Sequence, residues 1–482
     1  MDRESIEYDV VIVGGGPSGL ASACKLKQLN PNLSVCLLEK GSEIGSHILS
    51  GAVFEPKTLF DLFPEDAKDC PTLKTPVAKD DLFWLAGENK SIKVPSWLMP
   101  KSLHNKGNYI ISLGELCQWI AEKAMELGVD IFPGFPAQSY IKDESGRVIG
   151  ISTGDMGIDK EGNQKGTYTP GMDILAKQTI FAEGCRGHLT KGLFDTFGLR
   201  EGKDPQTFAT GIKELWDIEP EKSKPGAVWH SVGWPLATDT YGGSFLYHLN
   251  GNQVAVGYVV GLDYSNPHLS PFEEFQRFKT HPAVKSIFEG GRRVSYGARA
   301  LNEGGFQSVP KLTFPGGCLV GCTAGFLNVP KIKGTHTAMK SGMLAAEAVF
   351  KQLLSDAPSA EPVSYAEAIK ASWLWKELHQ VRNIRPGFAK GLWTGMAYAA
   401  LDTYILRGRA PWTFHHHADH SSLKLAADAP KIDYPKPDNI VSFDRNSSVF
   451  LSGTNHEENQ PAHLTLKDMS IPIDHNLALY DA

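Results

Sequence analysis

The apolar positions of this chain follow two rhythms. Residues 8–29, "YDVVIVGGGPSGLASACKLKQL", open with an unbroken apolar run, cross a glycine cluster and continue at helical spacing. An unbroken run predicts a strand buried on both faces, and the change of period after the glycines predicts a helix. Residues 34–40, "SVCLLEK", form a second apolar run that ends on Glu39. "DILAKQTIFAEGCRG" predicts a strand ending at Glu183 and Gly184, with Arg186 just beyond. "GGCLVGCTAGFLNVPKIKGTHTAMKSGMLAAEAVF" predicts a strand, a glycine-rich loop and a long helix starting near Gly334.

Elsewhere the rhythm alternates. In "TYGGSFLYHL", residues 240–249, the strand formers Tyr241, Phe245, Tyr247 and Leu249 are interleaved with polar residues, but Gly242 and Gly243 interrupt them. Glycine inside a strand marks a bulge or a place where something approaches the backbone closely. "GLWTGMAYAALDTYIL", residues 391–406, is apolar but broken by Asp402. It is shorter than the roughly 20 residues needed to cross a bilayer. Lys376, Arg382, Arg385 and Lys390 precede it, and Arg407 and Arg409 follow. It fits either a buried core helix or a segment lying in a membrane interface.

Composition narrows the class. The 482 residues, 41% of them hydrophobic, are enough for two or three domains with a large core. A net charge of −6 without a massed basic run excludes a nucleic-acid partner. The seven cysteines are scattered and form no CxxC pair, which argues against disulfides and structural zinc and for a reducing compartment. The acidic N-terminus carries neither a signal peptide nor a basic transit peptide. Three histidines at 415–417 read as a solvated basic stretch, since neighbours in an extended segment point apart and no further ligand stands nearby in sequence; no metal ligands are expected.

The chemistry begins at the glycine cluster. Gly14, Gly16 and Gly19 have the spacing of a dinucleotide turn: one for the tight bend, one for close approach to a pyrophosphate, one for helix–strand packing. The helix start supplies free N–H groups to the phosphates, and Glu39 is placed to accept from a ribose. The plainer alternative is a glycine turn between a packed strand and helix. The late strand–loop–helix brings a second helix start towards the same ligand, which favours FAD over NAD.

Six further segments are specific together: "GCTAGFLNVPKIKGTHTAMKSG", "GARALNEGGFQSVPKLTFPGG", "GGSFLYHL", "KELWDIEP", "YPKPD" and "SGTNHEENQPAHLTL". From Tyr8 to Ala482 the chain resembles the electron transfer flavoprotein–ubiquinone oxidoreductases. The resemblance implies an α/β (α+β) fold: a Rossmann-like FAD-binding domain interwoven with an antiparallel-sheet quinone-binding domain, plus a truncated C-terminal domain. The expected bounds are 1–90, 110–210 and 296–370 for FAD; 91–109, 211–295 and 371–410 for ubiquinone and the membrane surface; and 411–482 for a remnant of the iron–sulfur domain.

It further implies a flavoprotein oxidoreductase, monotopic on the mitochondrial inner membrane (matrix side) or the bacterial cytoplasmic membrane. Electrons would pass from reduced electron transfer flavoprotein through FAD to ubiquinone, with no catalytic side chain required. FAD would contact Gly14, Gly15, Gly16, Pro17, Ser18 and Gly19, then Glu39, Lys40, Ser50 and Gly51. Glu183, Gly184 and Arg186 would follow, and Gly325, Asn328, Gly334 and Thr335 would surround the flavin. Tyr241, Gly242 and Gly243 would hold the quinone, the glycines by exposing peptide N–H and C=O groups to a flat ring; a plain strand tyrosine and a ligand-free bulge are the bland readings. Val53, Phe54, Leu59, Phe60, Leu62 and Phe63 in 44–65, with 391–406, would form the membrane plateau; the loop 94–100 with Trp97 is a third candidate.

The family also holds a 4Fe–4S cluster, on cysteines that follow a segment resembling "SIPIDHNLALYDA". No cysteine of this chain lies there or can substitute, so the expectation is FAD without a cluster. The remnant would drape on the FAD domain and be partly mobile. The alternatives are an FAD-dependent monooxygenase, a prenyl reductase, or an FAD- and quinone-binding chain inactive in electron entry.

Overall fold

The computed structural model describes residues 3–49, 51–454, 456–462, 468 and 470–474. Two sheets organise them. The first strand, Ser5–Val13, lies centrally in an eight-stranded sheet. It pairs in parallel with Val35–Glu39 on one side and Asp173–Phe181 on the other. Asp130–Pro133 and Gly317–Leu319 extend the parallel core outwards. Val10, Val11 and Ile12 are fully buried, as unbroken apolar runs require. Helix Pro17–Leu29 packs on helix Thr335–Leu353, where Ser22 donates to the carbonyls of Ser18 and Gly342. The late helix therefore returns to the first one, as its sequence position predicts.

The second sheet has seven strands: Arg292–Asn302, Phe208–Asp217, Gln253–Gly261, Gly242–His248, Ala227–Gly233, Lys79–Gly87 and Lys90–Val94. All its pairings are antiparallel except one, Ala227–Gly233 with Lys79–Gly87. The expected boundary at residue 90 divides a hairpin, because Lys79–Gly87 and Lys90–Val94 pair with each other. Those at 210 and 295 likewise fall inside strands. Hydrogen-bond ladders, which the apolar pattern does not show, set these edges.

On one face of the second sheet, helices Pro271–Thr280 and Pro282–Phe288 bury Phe275, Phe278, Val284 and Phe288 against Trp216 and Tyr258. A charge cluster lies in this core. Lys279 donates to both oxygens of Glu214 at 2.9 and 2.8 Å, Trp216 Nε1 donates at 2.8 Å and Arg293 at 3.1 Å. Glu214 and Lys279 are fully buried, and burial pushes Lys279 down to about 8.

The chain beyond 411 was expected on the FAD domain; residues 419–448 lie instead against the second sheet and its helices, while His415 bonds to Asp204, and Glu457 and Asn459 reach Lys165 and Lys160. Val441 is fully buried among that sheet's apolar residues, with Ile432 and Phe443 packed beside it. Tyr434 donates to Glu274, Phe443 N donates to Gln276, and Arg293 donates to Ser448 Oγ at 2.7 Å. An apolar residue every few positions and a buried arginine needing acceptors hold this stretch there. Residues 463–467, 469 and 475–482 lie outside the described residues.

Glu214→Gln leaves two buried cations facing a neutral amide. It is expected to cost about 3–5 kcal/mol, read as a lower urea midpoint of the second-sheet unit.

Candidate functional site

The glycine turn divides its labour. Gly14 adopts φ +109°, and a Cβ there would stand 2.5 Å from Ala182 O of the neighbouring strand. A Cβ on Gly19 would collide with Gly14 O. These two glycines let strand, helix and neighbouring strand meet. Gly16, the N-cap of the first helix, differs: nothing lies within 4 Å of its Cβ position. Pro17 follows at the first helical position, and the first turn carries no acid. Free N–H groups, the positive end of a 13-residue helix and open space at Gly16 fit a phosphate of a dinucleotide.

Glu39 ends the second strand as expected. Its oxygens accept from Gly15 N at 2.9 Å and Gly41 N at 2.8 Å, which holds the carboxylate beside the turn. Lys40 is exposed. The Ser18 side chain is buried in packing, since a Cβ on Gly321 would stand 2.5 Å from its Oγ. Ser50 lies outside the described residues. Gly51 marks the joint between the sheets: a Cβ would collide with Ala255, and its carbonyl accepts from Lys213 at 3.2 Å.

In the later segments several of the expected side chains serve the protein itself. The Glu183 carboxylate accepts from Leu189 N, Thr190 N and Thr190 Oγ1, capping helix His188–Thr196. Gly184, φ +81°, donates to Thr323 Oγ1 at 3.0 Å. Arg186 lies over the Phe208 ring. Gly325, φ +82°, brings its backbone to Gln206. Asn328 is buried, donating to Glu377 at 2.8 Å and accepting from Lys331 N at 3.1 Å. Gly334 caps the 19-residue helix that begins at Thr335, and again no acid occupies its first turn. Two helix starts thus flank one region.

Sequence reasoning missed two cations on the second sheet. Lys213 is pushed down to about 8 by burial and then by Arg299. Arg299 donates to His47 O at 2.9 Å, across from the first sheet's 45–51 stretch. Their only signal was a lysine and an arginine in otherwise alternating strands. Among the described residues no group of His, Cys, Asp or Glu gathers as a metal site.

The paired glycines are demanded by the sheet. Gly242 and Gly243 face Val260 and Val259 across the ladder. A Cβ on Gly242 would collide with Val259 O, and one on Gly243 would stand 2.6 Å from Ser231 O. Tyr241 lies 4.0 Å over the guanidinium of Arg385 and edge-on to Phe388. Arg385 is buried and donates to Glu303 at 2.8 Å and Asp263 at 2.9 Å. Burial raises Glu303 and, with the Glu303 charge, raises Tyr241. Three residues before the tyrosine, Thr238 O accepts from Leu392 N at 2.7 Å.

Leu392 starts the helix Leu392–Ala400, and here two expectations part. Of the plateau candidates in 44–65, Val53, Phe54, Leu59, Leu62 and Phe63 are core residues, and Phe60 is half-buried. Helix Lys57–Leu62 packs on the long late helix, and Phe63 packs edge-on to Trp119. The segment 391–406 is instead exposed: Trp393 is 55% and Ile405 72% accessible, with Met396 and Tyr404 beside them. Trp97, 77% accessible, joins them through the Tyr404 hydroxyl, which donates to Leu98 O at 2.6 Å. Asp402, the break in the apolar run, is buried. Among the described residues no helix is long and apolar enough to cross a membrane.

The flanking cations and histidines need correction. Arg382 and Arg385 are buried; Arg382 donates to the carbonyls of His379, Gly408, Ala410 and Trp412, tying the ends of this segment together. Lys390, Arg407 and Arg409 remain exposed. Of the three histidines only His415 and His417 are solvated. His416 is buried, which pushes it down to about 4.

Residues 12–65 match the NAD(P)-binding Rossmann-like domain, and residues 208–301 match the ETF-QO ubiquinone-binding model, which spans the glycine pair. Residues 439–482 match the 4Fe–4S model of electron transfer flavoprotein–ubiquinone oxidoreductase. That match runs against reading the C-terminal stretch as lacking a cluster region, although none of the seven cysteines falls within it. A geranylgeranyl bacteriochlorophyll reductase-like protein from Thermoplasma acidophilum shares the fold, with TM-score 0.60 at 18% identity over 84% of this chain and 98% of its own. The electron transfer flavoprotein-ubiquinone oxidoreductase of Pseudomonas aeruginosa is 56% identical over all of this chain and 89% of its own length. The human mitochondrial one is 53% identical over all of this chain and 80% of its own. A Rossmann turn with an open Gly16, a ubiquinone-domain sheet and identity along the whole length together make this chain a member of the electron transfer flavoprotein–ubiquinone oxidoreductase family.

Proposed function

We propose that this chain passes electrons from reduced electron transfer flavoprotein through FAD to ubiquinone at a membrane surface. The supporting observation is the bond from Leu392 N to Thr238 O. It fastens the start of the exposed apolar helix to the loop that leads into Tyr241, Gly242 and Gly243. A quinone whose tail enters from that apolar surface meets the tyrosine and the glycine pair directly behind it.

The first sheet forms the dinucleotide unit and the second the quinone- and membrane-facing unit. The N–H groups at Gly16 and the first turn hold the pyrophosphate, and Glu39 steers the adenosine ribose. The helix start at Gly334 and Thr335 faces the flavin end, with Gly325 and Gly184 keeping the backbone close; Asn328 and Glu183 act indirectly, by shaping the loops they bond. Bound there, FAD supplies the electron-carrying chemistry. Reducing a quinone also takes two protons. The Tyr241 hydroxyl makes no hydrogen bond among the described residues, so it is available to a quinone oxygen, and Arg385 fixes the ring that carries it. Trp97, Trp393, Met396, Tyr404 and Ile405 rest in the interface of a mitochondrial inner or bacterial cytoplasmic membrane, without a span.

Gly16→Val has space for its side chain, so the variant folds with the unfolding temperature of the flavin-free unmodified chain but purifies without yellow colour; full flavin retention excludes the assigned pyrophosphate site. Tyr241→Phe keeps its flavin and raises the KM for a short-chain ubiquinone about fivefold, the worth of one hydrogen bond; unchanged quinone kinetics remove Tyr241 from the site. Trp393→Glu with Ile405→Glu weakens liposome flotation, since each side chain contributes about 2 kcal/mol of apolar burial. Equal flotation places the membrane contact elsewhere.

A further inference from the structure

We propose that a basic groove at the border of the apolar surface binds the phosphate headgroup of an anionic phospholipid. This rests on the membrane reading above and adds a site to it. The groove, about 450 Å³, lies between the start of helix Lys57–Leu62, the Lys101–Leu103 turn, the loop 104–108 and Lys331. Four lysines line it, Lys57, Lys101, Lys106 and Lys331, against one carboxylate, Glu55. Lys331 is neutralised by Glu55 at 2.5 Å and Glu377 at 3.1 Å. Lys57 lies 4.6 Å over the Trp373 ring. The ammonium groups of Lys101 and Lys106 are exposed and have no ion pair or hydrogen bond among the described residues. In a chain of net charge −6, this concentration of unpaired cations in one concavity is a local reversal of sign.

Its position selects the source of the anion. The Lys101–Leu103 turn lies two residues beyond the Ser96–Leu98 turn, whose Trp97 and Leu98 are exposed. The Tyr404 bond to Leu98 O fastens that turn to the apolar helix segment. A lipid lying against Trp97, Leu98 and Tyr404 therefore brings its phosphate level with the two free lysines. A small soluble phosphate compound would satisfy the charge but would make no use of the apolar border. Each lysine near an anionic leaflet strengthens binding about fivefold.

The test is flotation of the FAD-loaded chain with phosphatidylcholine vesicles, with and without phosphatidylglycerol. The unmodified chain is expected to prefer the anionic vesicles. Lys101→Ala with Lys106→Ala is expected to lose that preference by at least about tenfold, keeping binding to neutral vesicles, flavin content and turnover with a short-chain quinone. Lys390→Ala with Arg409→Ala, on exposed cations outside the groove, is expected to lose less. An undiminished preference in the groove variant overturns the proposal, and so does an equal loss in both variants, which would mean diffuse surface attraction. Inorganic phosphate protecting Lys101 and Lys106 from acylation when anionic vesicles do not would assign the groove to a soluble anion and also overturn it. A chain that floats with neither vesicle refutes the membrane reading itself, a result distinct from these.

Discussion

The whole architecture depends on how closely three backbones meet at the first turn. The strand Ser5–Val13, the helix Pro17–Leu29 and the strand Asp173–Phe181 converge where a side chain on Gly14 would meet Ala182 O and one on Gly19 would meet Gly14 O. This closeness lets the parallel sheet seat its first helix directly on the strand edge. It also places the helix start, with its unsatisfied N–H groups, at the mouth of the sheet. Gly16 stands one step away from that packing and faces open space, so construction and ligand approach are assigned to different glycines.

The second sheet is held by buried charge as much as by apolar contact. Glu214 gathers Lys279, Arg293 and Trp216 inside the core, and Arg385 gathers Glu303 and Asp263 behind Tyr241. Buried ions are costly unless each partner is met, so such clusters fix geometry more than they add stability. In one case the charges tie the sheet to helix Pro271–Thr280 and to Ser448. In the other they position the ring beside the glycine pair. The two sheets then meet along the stretch 45–51, where Gly51 abuts Ala255 and Arg299 reaches His47 O.

The two apolar segments considered for a membrane show why hydrophobicity alone does not place a surface. The segments 44–65 and 391–406 each gather apolar residues. The first has the long late helix and Trp119 as neighbours and disappears into the core. The second has Phe388 and Tyr398 on its inner side, and its Trp393, Met396 and Ile405 stay outside.

Much was legible in the residues. The parallel strands, the dinucleotide turn, the late helix starting at Gly334 and the family itself follow from local signals: apolar runs, glycine spacing and long specific segments. Those signals act over a few turns of chain, where backbone sterics decide. What the residues did not disclose depends on partners far apart in sequence. Glu183 caps a helix, Asn328 binds Glu377, Phe63 packs on Trp119, His416 is buried, and the stretch around Ile432, Val441 and Phe443 lies on the second sheet. Even the glycine pair has a tertiary cause, since the carbonyls that exclude a side chain belong to Val259 and Ser231 on the flanking strands. A sequence states what a side chain is able to bond or bury; only the folded chain decides which distant group competes for it first.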